Sequence, residues 1–591
     1  MSTHPHPHSH PQYPEPQSLL PNFVSGNADR LLHAQLGKLT GGISPASLAS
    51  AWMDWATHLA MSPSKQAEIV EMGVRQWERL AHFLSHVQDE KCERCIEPLP
   101  QDPRFRDPGW QQWPFNVISQ TFLLGQQWMS ISTRGVRGVT RHHEQVMDYT
   151  TRQWMDLFSP SNFIGTNPEV LAAVKDSGGM NLLAGVANMR EDLERTLSGS
   201  PPQGAEAYEV GRDLALSPGK VVLRNDLIEL IQYSPSTARV NAEPILMVPA
   251  WIMKYYILDL SPQNSLIKFL VDQGHTVFSI SWKNPGPADR DLSMDDYLRQ
   301  GVMAAVDAVS KIVPKHKIHA MGYCLGGTLL AIATALMARE GDRRLATMTL
   351  IAAQTDFSEP GELALYIDDS QLTFLEDQMW EKGYLDSSQM SGAFQLLRSV
   401  DLVWSSIVRH YLKGEPTKLN ELMAWNADGT RMPYRMHTDY LRSLFLNNEL
   451  AMGRFKVWNR PIAIQDIDIP IFCVGTVTDH VAPWRSVYKI HLLTHAEITF
   501  ALTTGGHNVG VVNPPSPESK RRYKLRTRAK GGDYLDPDAF EREAKEYPGS
   551  WWTAWNRWLA ERSTGKAAAP KMGAEGYRPL GDAPGEYVLQ R

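Results

Sequence analysis

The feature that most restricts this chain is a cysteine framed by glycines, Gly322-Tyr323-Cys324-Leu325-Gly326-Gly327. Residues 317–320 before it are apolar enough to end a buried strand, and residues 328–338 after it are rich in helix formers. Strand, tight turn and helix are the setting that Gly-x-nucleophile-x-Gly requires. Glycines flank the nucleophile because the turn is strained and only a missing Cβ lets strand and helix approach so closely. At the first turn of a helix a cysteine lies at the positive end of the macrodipole, which favours the reactive thiolate. A small buried core thiol is the ordinary fate of a free cysteine; the glycine frame tips the balance towards a nucleophile.

The chain has 591 residues, room for two or three domains and a large core. Its 59 Lys plus Arg against 65 Asp plus Glu give a net charge of −6, too balanced for a nucleic-acid binder. Four cysteines in so long a chain argue against a disulfide framework and fit a reducing compartment. The start, Met1-Ser2-Thr3-His4-Pro5-His6, has no secretory signal pattern. The uncharged run 318–338 is long enough to cross a membrane, but the elbow divides it into strand and helix, so no transmembrane segment is expected.

Residues 1–25 are rich in Pro, His and Ser and are expected to be a disordered tail; His4, His6, His8 and His10 could hold adventitious metal, though solvation is the default. Residues 26–205 read as a helical N-terminal domain, with Trp52, Trp55 and Leu59, then Val74, Trp77, Leu80 and Leu84, repeating at helical spacing. Cys92 and Cys95 form a lone C-x-x-C without the second pair that zinc requires. From 206 the pattern changes to strands alternating with helices, the mark of a parallel α/β sheet. The alternation spans 206–357, stops for an irregular helical stretch at 358–464, and resumes over 465–565; residues 566–591 are a C-terminal tail. The predicted fold is an α/β-hydrolase-type, mostly parallel sheet with a helical cap insertion, preceded by a mainly helical N-terminal domain.

A thiolate nucleophile needs a base on a loop after a later strand and a carboxylate to orient it. The strand ending at Gly475 leads into Asp479, and the strand ending at Leu502 leads into His507. Cys324, Asp479 and His507 thus follow three strands in the nucleophile–acid–histidine order of α/β-hydrolase triads. His480 is the rival base, but it directly follows the acid; Asp428, within the cap, is the rival acid. The oxyanion hole is expected from the backbone N–H of Leu325 and of Ile252, on the loop at Trp251-Ile252. Losing one such donor typically costs about 3 kcal/mol of barrier. A thiol in place of serine shifts the chemistry towards acyl transfer from a thioester.

With these motifs in hand, the chain resembles the class I polyhydroxyalkanoate synthases over nearly all its length past residue 25. Gly322-Tyr323-Cys324-Leu325-Gly326-Gly327 is similar to that family's lipase-like box with cysteine for serine; Asp479-His480-Val481-Ala482-Pro483-Trp484 and Gly505-Gly506-His507-Asn508 are similar to its acid and histidine motifs. Weaker likenesses run through Asp102-Pro103-Arg104-Phe105, Ser159-Pro160-Ser161-Asn162-Phe163, Trp425-Asn426-Ala427-Asp428 and residues 582–588. The resemblance implies polymerisation of (R)-3-hydroxyacyl-CoA into storage polyester with release of CoA, through a covalent thioester at Cys324. It implies no cofactor and no metal beyond the CoA thioester substrate, a cytoplasmic enzyme at polyester granules with granule-associated proteins, and a homodimer. Tyr323 resembles the short-chain class, favouring 3-hydroxybutyryl-CoA; a medium-chain synthase is the alternative within the family.

Two other readings compete. One is a CoA thioesterase or lipase-like hydrolase on the same fold, with water as acceptor. The other is a non-catalytic granule binder anchored by Trp551, Trp552, Trp555 and Trp558, residues whose helical spacing is more often that of a core face. The basic run 520–530 could meet CoA phosphates or a granule surface, with a solvated loop as the default.

Overall fold

The computed structural model describes residues 22–87, 94–99, 102–390 and 403–591. The four N-terminal histidines and Cys92 lie outside them; Cys95 is buried.

Among the described residues seven α-helices build the N-terminal region: α1 (Asn22–Thr40), α2 (Pro45–Ala60), α3 (Pro63–His86), α4 (Phe115–Thr133), α5 (Arg141–Leu157), α6 (Pro168–Ser177) and α7 (Met180–Ser198). Their ends follow local chemistry. Asn167 caps α6 through its side chain, Pro168 takes the first helical position, and Gly178 closes the helix in the left-handed region. The motifs around Asp102 and Ser159 pack on each other here. Buried Arg104 bridges Asp102 and Asp156 at 2.7 and 2.8 Å, while Asn162 donates to the Asp156 carbonyl. A charge pair so buried is stable only with its hydrogen bonds satisfied, as these are.

An eleven-stranded sheet forms the rest: β1 (Gly219–Arg224), β2 (Ile228–Tyr233), β3 (Ile245–Val248), β4 (Val277–Trp282), β5 (Ile318–Tyr323), β6 (Leu345–Ile351), β7 (Ile471–Thr476), β8 (Ile498–Thr503), β9 (Arg522–Arg528), β10 (Lys545–Pro548) and β11 (Gly581–Asp582). Their order is β10-β9-β8-β7-β6-β5-β3-β4-β2-β1-β11. The six central strands, β3 to β8, are parallel, and the outer pairings are antiparallel. Being covered on both faces, the parallel strands read as continuous apolar runs. Strand order reverses between β3 and β5, and the crevice at the carboxyl ends beside such a switch is where α/β sheets place ligands.

Two placements differ from simple sequence expectation, and a third settles a choice it left open. The basic run is strand β9, not a loop: alternate arginines point outward, with Arg522 on Glu546 and Arg526 on Glu543. The four tryptophans lie on the helix Trp551–Glu561 and are at most 6% exposed, so they are core, as their helical spacing favours, and no anchor. Residues 566–591 are tied to the sheet, with β11 pairing with β1 and Val588 buried. Among the described residues no helix is long and apolar enough to cross a membrane.

Candidate active site

Cys324 ends β5 and caps α8 (Leu325–Glu340), with φ 53° and ψ −127°. This region is costly for a residue with a Cβ, and the surroundings impose it. Its N–H donates to the Ile351 carbonyl at 2.9 Å, and its carbonyl accepts from the N–H of Gly327 and Thr328. A Cβ on Gly326 would lie 2.1 Å from the Val248 oxygen, and one on Gly322 would lie 2.4 Å from Gly327 Cα. The glycine frame therefore exists because β5, α8 and the loop after β3 meet backbone to backbone.

Asp479 follows β7 and His507 follows β8, and the structure joins them: His507 Nδ1 is 2.8 Å from Asp479 Oδ2. The Cys324 thiol acts on the other side of the imidazole. The Asp479 side chain is fully buried and accepts four hydrogen bonds. Oδ1 accepts from the N–H of Val481 and Ala482 at 2.9 and 2.8 Å, and Oδ2 from Thr476 Oγ1 and His507. Burial alone would raise this carboxyl; the charge and hydrogen bond of His507, with the Ala482 N–H and Thr476 hydroxyl, hold it below its ordinary range. Burial would likewise lower His507, but Asp479 and Cys324 on its two sides push it well above 6.5.

The two expected oxyanion donors both border the cavity beside Cys324. The carbonyl of Trp251 accepts from Thr430 Oγ1 at 2.7 Å, so the Ile252 N–H on the same trans peptide points the opposite way. The Cys324 carbonyl turns into α8, so the Leu325 N–H turns out of it.

That loop is held from behind by motifs the sequence marked without explaining. Trp425 Nε1 donates to the Lys254 carbonyl at 2.8 Å. Asp428, the rival acid, accepts from Tyr256 Oη at 2.9 Å and lies 3.7 Å from Lys254 Nζ. Lys254, buried, donates to the carbonyls of Val588 and Gln590, so these residues brace the loop that follows Trp251 and Ile252. Burial pushes this lysine down from its usual value. Tyr323 donates to Asn508 at 2.7 Å and lies against the His507 ring, while Trp551 and Trp552 donate to the carbonyls of Gly510 and Val511 just beyond it. The tryptophan helix thus fixes the histidine loop.

Leu363, Ile367, Leu375, Met432, Leu441 and Phe445 make the cavity mostly apolar. Sequence reasoning passed over Gln371, His437 and Tyr440 in its lining, which carry no local motif. Among the described residues no cluster of three or more His, Cys, Asp or Glu could hold a metal.

Comparison with known proteins decides the family. The N-terminus of poly-beta-hydroxybutyrate polymerase matches residues 101–270 and its N-terminal segment residues 25–65, while the α/β-hydrolase fold matches 243–514. A poly(3-hydroxyalkanoate) polymerase of Methylorubrum extorquens is 38% identical, covering 86% of this chain and 84% of that one. The chain belongs to the poly(3-hydroxyalkanoate) polymerase family. A polymerase subunit of Cupriavidus necator is 35% identical over 91% of this chain and 90% of its own length. A polymerase of Ectopseudomonas oleovorans is 34% identical over 84% and 88%. Among solved structures, the thioesterase domain of the curacin biosynthetic pathway is similar at a TM-score of 0.29 and 13% identity, covering 50% of this chain and 94% of that chain. This polymerase is an enzyme of the acyltransferase class, with a mainly helical region ahead of an α/β-hydrolase core.

Proposed function

We propose that this polymerase joins (R)-3-hydroxyacyl units, 3-hydroxybutyryl first among them, through a thioester at Cys324. The His507–Asp479 bond at 2.8 Å, with Cys324 on the other side of the imidazole, carries this reading. His507 takes the thiol proton; the thiolate attacks the acyl-CoA carbonyl; the oxyanion draws on the N–H of Leu325 and Ile252; CoA leaves as its thiol, with the proton returned from His507. The hydroxyl of another unit then loses its proton to His507 and attacks the Cys324 thioester, forming an ester and freeing the thiol. General-base catalysis of this kind is typically worth roughly 10²–10⁴-fold. The four hydrogen bonds on Asp479 leave it little capacity to take a substrate proton, which supports an orienting role for it and gives both proton transfers to His507.

The apolar lining supports a hydroxyl-terminated chain, not water, as acceptor, because it keeps bulk solvent from the thioester. The cytoplasmic granule setting and homodimer implied by the resemblance belong to the same proposal. Exposed apolar residues along α3 (Val70, Val74, Trp77) and α7 (Leu183, Val186, Leu193) support contact with a polyester surface. Feeding 3-hydroxybutyryl-CoA tests the reaction: insoluble polymer with stoichiometric CoA is expected, and Cys324→Ala should yield neither. Free hydroxy acid as the main product would replace the proposal with a thioesterase.

A further inference from the structure

One wall of the cavity comes from outside the catalytic core. Gly41, Gly42 and Ile43, the turn between α1 and α2, border the same cavity as Cys324. Leu363, Ile367 and Leu375 of the cap border it too, the last on helix α9 (Asp369–Lys382).

The turn is not loosely laid there. Gln371, on α9 and 6% exposed, grips it with both side-chain atoms: Nε2 donates to the Gly42 carbonyl at 2.8 Å, and Oε1 accepts from the Ser44 N–H at 2.7 Å. Ser44 Oγ lies 3.1 Å from Ser370 Oγ, and Ser47 Oγ donates to Asp368. Behind the turn α1 lies flush on α9, since a Cβ on Gly37 would come within 2.4 Å of Gln378 Cδ. His33 Nδ1 is 2.7 Å from Asp377, and the Arg30 guanidinium stacks over Trp380 at 5.1 Å. Gln371 borders the cavity, yet both ends of its amide are used on the turn, so the amide has little left for substrate. At Gly41 and Gly42 the wall has no side chain, and both φ angles, +63° and +87°, are ones that favour glycine. The half-buried Ile43 side chain is therefore what this wall presents to an acyl group.

We propose that the α1–α2 turn completes the acyl pocket, and that Ile43 determines specificity by meeting the alkyl substituent of the bound hydroxyacyl unit. The proposal rests on the polymerase reading above. It assigns the N-terminal region a part in substrate selection that the core alone does not supply. Pocket volume changes of a few methylenes typically shift discrimination by one to two orders of magnitude.

The test uses the full chain and initial rates of CoA release from (R)-3-hydroxybutyryl-CoA and (R)-3-hydroxyhexanoyl-CoA. Ile43→Ala should raise the hexanoyl-to-butyryl ratio of kcat/KM by about tenfold, and Ile43→Trp should lower it by a similar factor. Gln371→Ala, which frees the turn while keeping Ile43, should shift the ratio in the same direction as Ile43→Ala. Ile43→Val, a change of one methylene that should not disturb folding, gives a smaller shift of the same sign. Ratios within twofold of the parent in all four variants, with the parent making polymer, would overturn the wall and leave the polymerase reading standing. A parent that releases no CoA from either ester would overturn both.

Discussion

Two helices of similar length show how differently the two halves of this molecule use apolar residues. In α8 every position from Leu325 to Met337 is buried, because the sheet lies on one side of it and other elements cover the rest. In α7 only Asn181 and Gly185 are buried, while Met180, Leu183, Val186, Met189, Leu193 and Leu197 are 51–79% exposed. The small side faces the protein: a Cβ on Gly185 would meet the Tyr411 carbonyl at 1.8 Å. A helical reading fits both, α8 as a run of apolar helix formers and α7 as an amphipathic helix. What it does not say is which face finds a partner. The core holds Cys324 in its strained conformation, whereas the helical region leaves apolar faces outward.

The sharpest way to expose that contrast is to remove the base. His507→Ala should cut CoA release by roughly 10²–10⁴-fold in steady-state assays, with the melting temperature little changed. The next contrast is between glycines. Gly326→Ala drives a Cβ onto the Val248 carbonyl and should abolish a stable fold, as read by soluble yield and circular dichroism. Gly199→Ala, in open space at the end of α7 with φ +66°, should cost only about 1–2 kcal/mol in urea unfolding. Leucine truncations extend the comparison. Leu329→Ala in α8 should cost about 2–5 kcal/mol, and Leu183→Ala in α7 should stay within about 0.5 kcal/mol of zero. Equal losses at both leucines would break the distinction.

Acid should separate the regions as well. Burial pushes His275 and His319 down to about 4, and His437 and His491 down to about 3; all four lie in the core or cap. Their folded values lie below the ordinary 6.5, so the unfolded chain takes up the proton first. Stability is then full above about pH 6.5 and falls as the pH drops towards the folded values. At pH 5 each histidine should have lost about 2 kcal/mol. Asp368, which ties the cap to the N-terminal helices, behaves differently. Burial would raise it, but the His142 ring 3.6 Å away and hydrogen bonds from Ser47 and the Gln371 N–H bring it down to about 2, so its contribution persists until the pH falls below its ordinary 3.8. Hydrogen exchange at pH 5 and pH 7 should show the core strands losing protection while the α1–α9 contact keeps its own.

The parts legible in the sequence are those whose chemistry is local. The elbow, the central strands and the order of Cys324, Asp479 and His507 follow from glycine sterics, apolar runs and the loops that end them, and the structure joins Asp479 to His507 as their spacing anticipates. Strand β9 was hidden because its arginines look like a solvated loop until Glu543 and Glu546 are brought opposite them. The stripe of Trp52, Val74 and Trp77 predicts helices but not that these residues stay more than half exposed. Gly41 to Ile43 carry no motif at all. Their place beside the cysteine depends on α1 docking to a helix more than three hundred residues away, and no local pattern encodes that.

The central claim is that Cys324 carries the acyl group. Mixing the enzyme with 3-hydroxybutyryl-CoA, quenching in acid before turnover is complete and mapping peptides by mass spectrometry tests it most directly. The account predicts hydroxybutyryl units in thioester linkage on the peptide holding Cys324, removed by neutral hydroxylamine and absent from Cys324→Ala. Polymer formation by Cys324→Ala, or turnover with the acyl group on another residue, would contradict it.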